Sequence, residues 1–131
     1  MIYSKEELDA LTGRIIYCAI EVHRELGPGL MESVYDVCLA EELFRNGMDV
    51  KRQIALPVHY KGRQLNKEFI VDQLVEEKII LELKSVEAVL PVHEAQLVTY
   101  LKLADKRLGL LINFNVPVLK DGVRRRINGW F

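Results

Sequence analysis

The hydrophobic spacing of this chain changes period twice, and that change limits the folds open to it. Over residues 4–45 apolar side chains recur every three or four positions, which gathers them on one side of a helix. From residue 50 the period falls to two, as in strands whose side chains alternate between faces. After Pro91 the helical spacing returns, and residues 108–114 form an almost unbroken apolar run. With 131 residues, half of them apolar, the chain suits a single domain around one core.

Turn and cap residues divide these stretches into elements. Ser4 and Glu7 form a capping-box pair ahead of Leu8, Leu11, Ile15, Cys18, Ala19 and Val22, and Gly27-Pro28-Gly29 ends that helix. A second helix is expected over about 31–45, stopped by Asn46-Gly47. Val34, Val37, Cys38, Ala40 and Phe44 line one broad side of it, and Tyr35, Leu39 and Leu43 another. Apolar residues on two sides imply packing against more than one element. Strands are expected at 50–60, 67–75 and 79–85, joined by Lys61-Gly62 and by the polar residues 76–78. A helix over 92–103 precedes a central strand at 108–114, covered on both faces. After Asp121-Gly122, residues 123–128 are a candidate short edge strand. The order ααβββαβ calls for an α/β fold, a mixed sheet flanked by helices.

Composition excludes several classes of function. Lys and Arg total 18 against 19 Asp and Glu, a formal charge of −1, which argues against holding nucleic acid by bulk positive charge. The densest basic run, Arg124-Arg125-Arg126, reads equally as a phosphate contact or a solvated terminal strand. Cys18 and Cys38 lie in apolar helical patterns without CxxC spacing, so two reduced core thiols are expected rather than a bridge or a soft-metal site. His23, His59 and His93 show no HxxxH or HExxH spacing, and Gly27-Pro28-Gly29 lacks a following GK[ST]. The opening stretch MIYSKEELDALTG is acidic, and no apolar run approaches membrane-spanning length. A cytoplasmic protein away from membranes is the expectation.

The hairpin of the second and third strands carries the chemistry. If its turn centres on Glu77, Asp72 faces Glu82 across the ladder, close enough for both carboxylates to share a divalent cation. Lys84, two residues on, projects from the same face, while Leu81 and Leu83 point the other way. Glu82 interrupts the apolar Ile79-Ile80-Leu81-Glu82-Leu83, and a carboxylate there must be paired, hydrogen-bonded or metal-bound. The competing reading is an ion pair of Lys84 with Asp72 or Glu82 on a solvated sheet face. Gln96 and Tyr100, four apart, share a face of the following helix, which an ordinary surface pair would also do. Glu32 sits in the first turn of the second helix, where the dipole favours an anion. Tyr35 either packs beneath it or reaches a phosphate.

Together these segments resemble the GxxExxY protein family, a branch of the PD-(D/E)XK nuclease superfamily. GLMESVY at 29–35 matches its naming motif, VDQLVEEKIILELKS at 71–85 its hairpin, and HEAQLVTYLKL at 93–103 the helix that follows. GLLINFNVPVLKDGVRR at 109–125 is similar to its closing strand and loop. The resemblance implies a restriction-endonuclease-like core that hydrolyses phosphodiester bonds with Mg²⁺ or Mn²⁺. It assigns Asp72, Glu82, Lys84, Gln96 and Tyr100 to catalysis. It assigns Glu32, Asp72, Glu82 and the Leu83 carbonyl to the metal. Val71 stands where the superfamily's nominal proline would be.

Nucleic acid is the expected partner, DNA before RNA. A ~130-residue domain offers little surface to a duplex, so pairing of two copies is expected, with Trp130 and Phe131 as candidate contacts. A non-catalytic interaction or regulatory protein on the same fold, joined to a protein partner, stands as the alternative.

Overall fold

The computed structural model describes residues 3–129; Trp130 and Phe131 lie outside the described residues. Helix α1 spans Lys5–Leu26 and α2 Glu32–Arg45. Strands β1 (Val50–Tyr60), β2 (Arg63–Val75) and β3 (Ile79–Lys84) follow, then helix α3 (Pro91–Ala104), strand β4 (Leu108–Asn113), a short 3-10 turn at Leu119–Gly122, and β5 (Val123–Ile127). The five strands lie side by side in chain order. Only β3 and β4, the pair separated by α3, run parallel, and the other neighbours are antiparallel. This is the expected mixed sheet, because a parallel return needs a crossover of helical length.

Two apolar layers sandwich the sheet. On one face α1 contributes Leu8, Leu11, Ile15, Cys18, Ala19 and Val22, α2 contributes Tyr35, Leu39 and Leu43, and the sheet contributes Val75, Ile79, Leu81, Leu83, Leu108, Leu110 and Ile112. On the other, Leu97, Tyr100 and Leu101 of α3 meet Val71, Leu74, Ile80 and Leu111. Each large side chain buried this way stabilises the fold by roughly 1.5–3 kcal/mol. Gly109 sets the closeness of α3, since a Cβ there would lie 2.8 Å from Leu97 Cδ1.

Local signals behave as their chemistry requires. Ser4 Oγ accepts the Glu7 N–H at 3.1 Å, and Gly27 takes φ 74° beyond the last turn of α1. Lys61 and Gly62, both at positive φ, make the two-residue turn that matches strand twist.

Three expectations are corrected. Helix α2 does pack against more than one element, α1 and the sheet, but of its two expected apolar sides Tyr35, Leu39 and Leu43 are buried while Val37 and Phe44 stand exposed. Strand β2 begins at Arg63 rather than 67, because the tight turn extends pairing through a polar stretch without an apolar face. The basic run of β5 is spent on the fold. Arg125 pairs with Asp9 of α1 at 2.7 Å, Arg126 pairs with Glu94 of α3, and Arg124 donates to the Asp121 and Val123 carbonyls. Cys18 and Cys38 are free thiols, and burial pushes that of Cys18 up to about 11.

Candidate active site

The β2–β3 ladder keeps the expected register, Val75 opposite Ile79, Leu74 opposite Ile80 and Gln73 opposite Leu81, and stops there. One step further, at Asp72 and Glu82, side chains replace the backbone partners. Asp72 N–H donates to Glu82 Oε1 at 3.2 Å, and Leu83 N–H donates to Asp72 Oδ2 at 2.7 Å.

The cause is a local break in β2. Its pairing with β1 passes from Arg52↔Gln73 to Ile54↔Val71, skipping Gln53 and Asp72, and Gln53 has φ 55°. Side-chain alternation breaks at the same point. Val71 packs in the α3 layer, whereas Gln73, two residues on, reaches α2. Regular strands keep such residues on one face. The break opens a cavity of about 210 Å³ lined by Glu32, Ser33, Asp36, Gln53, Asp72 and Leu83.

Glu82 is only 8% exposed. Leu81 and Leu83 point to the α1/α2 layer and Ile80 to the α3 layer, so alternation puts Glu82 and Lys84 on the α3 side. That face is roofed by α3, not solvated. Burial first, then the Asp72 charge, raises the Glu82 carboxyl to about 8. Asp72 is raised as well, by burial foremost and then by Asp36 and Glu32, against the opposing pull of the Leu83 N–H and Lys84. Lys84 lies near enough to lower both carboxyls electrostatically. Yet it belongs to none of the ion pairs formed by the described residues, so the ion-pair reading of the hairpin is not met.

Tyr100 is buried on α3, and its phenol is raised by burial and then by the Glu82 and Asp72 charges. Gln96, one turn earlier, is exposed. Glu32 is exposed in the first turn of α2 and reaches the same cavity as Asp72 and Leu83.

The approach of α2 is fixed by a loop. Tyr35 Oη donates to the Gly27 carbonyl at 2.6 Å and accepts the Leu30 N–H at 3.1 Å, and its ring stacks on Phe114 at 4.4 Å. Ser85 Oγ donates to the Leu30 carbonyl at 2.6 Å, tying the loop to the end of β3. Tyr35 therefore packs and pins rather than reaching outward. Asn113 holds the next turn, donating to the Val86 carbonyl and accepting its N–H.

Sequence reasoning missed the polar group behind Asp72. Asp36 accepts from Arg52 at 2.6 Å and from Gln73 at 2.7 Å, with Gln53 at 3.4 Å. Its signal was available: Asp36 lies four residues after Glu32, on the same helical side.

Among the described residues, no group of three or more His, Cys, Asp or Glu forms a ready-made metal cluster. The donor set nevertheless fits a hard cation. Two carboxylates share a buried corner, and both carboxyls are raised by burial and by charges of their own sign. A divalent ion taking oxygen ligands relieves that repulsion.

The family model of the PD-(D/E)XK nuclease superfamily matches residues 9–126. The chain belongs to the PD-(D/E)XK nuclease superfamily. That membership accounts for a mixed sheet whose acidic hairpin sits between α2 and α3, and it implies a nucleic-acid substrate; nucleases of this superfamily generally use divalent metals. No curated protein and no solved structure shows a matching similarity. No helix of the described residues is long and apolar enough to cross a membrane.

Proposed function

We propose that this protein is a nuclease of the GxxExxY branch, hydrolysing phosphodiester bonds of DNA at Asp72, Glu82 and Lys84 with Mg²⁺ or Mn²⁺. One observation carries the reading: two adjacent, sheltered carboxyls held above their usual range, beside a lysine that neither engages in an ion pair. A purely structural cluster would be expected to neutralise itself.

Asp72 and Glu82 would hold the metal, with the Leu83 carbonyl and Glu32 completing its oxygen ligands. When bound, the ion supplies Lewis acidity toward the scissile phosphate and eases deprotonation of the attacking water. The chain's own groups do the rest. Lys84 keeps its ammonium free to meet the negative charge that grows on phosphoryl oxygens. Leu83 N–H holds Asp72 in one orientation, and Asp72 N–H does the same for Glu82. Tyr100 closes the α3 side against water, and Gln96, exposed one turn earlier, is placed to position the nucleic-acid backbone.

The test is a cleavage panel with Mn²⁺ on linear and branched DNA, single strands and RNA. DNA cleavage lost in Asp72→Asn is the expected result. Activity undiminished in both Asp72→Asn and Lys84→Ala would place it outside this site.

Pairing of two copies belongs to the same reading. Exposed Val37 and Phe44 on α2 offer apolar surface, and light scattering should give twice the 15.1 kDa of one chain. A cytoplasmic setting agrees with the two free thiols, and fractionation of tagged protein checks it. The second reading, a non-catalytic protein that docks a protein partner, draws on the same α2 surface. It gains if folded, metal-loaded protein cuts none of the panel.

A further inference from the structure

Strand β2 pairs with β3 only from Gln73 to Val75 but with β1 from Val75 back to Arg63. The remainder is a two-stranded arm that leaves the sheet at Asp72. At about 3.4 Å per residue, its tip lies roughly 30 Å from that carboxylate. Residues 59–68 are exposed without interruption. A ribbon with no buried face is marginal on its own in water, so its composition needs another explanation.

Charge supplies one. Between residues 50 and 71 stand five of the chain's 18 cations and one of its 19 carboxylates, Glu68. Lys51 and Arg52, at the base, are spent on Glu77 and Asp36. Lys61, Arg63 and Lys67, toward the tip, join no ion pair among the described residues. An overall acidic chain thus concentrates unneutralised positive charge on one projection.

The cations also gather at one end of the arm. Tyr60 and Arg63 pair beside the turn and share a side, and Lys67 stands in the irregular stretch of β2 opposite the step from Pro57 to His59. Lys61 lies 5.6 Å over the Tyr60 ring. Nearer the sheet, Phe69 meets Tyr100 at 5.6 Å and Val71 packs in the α3 layer. The base of the arm therefore joins the face that carries Tyr100 and Glu82, and its basic end projects beyond it.

We infer that the β1–β2 arm is a DNA-gripping ribbon that lies along a B-form duplex and holds its phosphates with Lys61, Arg63 and Lys67. A two-stranded ribbon fits the major groove, about 12 Å wide, and the reach of the arm is close to one helical turn, about 34 Å. The deep, narrow major groove of A-form RNA does not admit it. The inference rests on the nuclease reading for its substrate, but it is tested without cleavage.

Fluorescence anisotropy in EDTA would measure binding of the full chain to a short DNA duplex, the same single strand and an RNA duplex, across a salt series. The combined Lys61→Ala, Arg63→Ala and Lys67→Ala variant should bind the DNA duplex at least about tenfold more weakly. Its slope of log affinity against log salt should fall by about 2.7, the value for three phosphate contacts. Lys61→Arg, Arg63→Lys and Lys67→Arg together should retain binding, which separates charge from folding. Unchanged affinity and slope in the alanine variant would overturn the arm, as would no duplex binding by the wild type or equal losses on single strands or duplex RNA. A Mn²⁺ cleavage assay on the same proteins keeps the two ideas apart. Duplex binding lost in the alanine variant while wild type cuts nothing supports the arm and sinks the nuclease reading. Cleavage by wild type with binding unmoved in the variant does the reverse.

Discussion

Asp72 and Glu82 are joined through the backbone rather than by their side chains alone: the Glu82 carboxylate accepts the Asp72 N–H at 3.2 Å. Asp72 in turn accepts from Leu83, the neighbour of Glu82, at 2.7 Å. The interlock holds two carboxyl groups together at the point where the strands part.

Stability of the metal-free protein should fall as pH rises from about 5 to about 8.5. The Glu82 carboxyl is raised to about 8 from 4.5, so between those values the folded state keeps a proton that the unfolded chain has lost. Stability then declines with pH in this window and levels off above it. Glu82→Gln removes this part of the slope, which urea unfolding at several pH values would reveal. An equal slope in wild type and Glu82→Gln would count against the shift.

Metal binding should show the opposite dependence. Mn²⁺ must displace the Glu82 proton, so its affinity should rise by up to about tenfold per pH unit below 8 and flatten above it. Titration calorimetry in two buffers of different ionisation enthalpy would count the released protons. Asp72→Asn and Glu82→Gln should each abolish the binding signal.

Lys84→Ala should leave folding and Mn²⁺ binding nearly unchanged while reducing cleavage by about 10²-fold or more, the scale for one well-placed electrostatic group. Lys84 joins no ion pair among the described residues, so little stability depends on it. A large drop in melting temperature without loss of turnover would return it to a structural role.

Tyr35→Phe should cost about 1–3 kcal/mol, because it strips the partner hydroxyl from the Gly27 carbonyl and the Leu30 N–H. The loop before α2 then loosens, and Glu32 with it. Chemical denaturation measures the first effect. Weaker Mn²⁺ affinity in the folded variant would report the second.

Gly109→Ala should destabilise by about 1–3 kcal/mol through overpacking, since its Cβ would meet Leu97 at 2.8 Å and Leu101 at 3.2 Å. Thermal unfolding checks the cost. If the variant relaxes by lifting α3, the phenol of Tyr100 should titrate closer to its ordinary value, readable by ultraviolet absorbance.

The sequence by itself determined the elements and their order. Apolar spacing and turn residues are local signals: Leu8 to Val22 mark one helical face, Lys61-Gly62 a two-residue turn, and 108–114 a strand covered on both sides, observed one residue shorter. The hairpin register followed from the short turn at 76–78, which aimed Asp72 at Glu82. Tertiary structure decided the rest, because those features depend on residues far apart in the chain. The break at Asp72 arises where Gln53 of β1 adopts a positive φ, and it opens the cavity that Glu32 and Asp36 of α2 enter. Arg125 and Arg126 pair with Asp9 and Glu94 only once β5 lies beside α1 and α3, which turns a candidate phosphate contact into a brace. Phe44 remains exposed because the sheet and α1 use up the other side of α2. A periodic pattern shows which residues seek burial, and only packing against distant elements decides which of them obtain it.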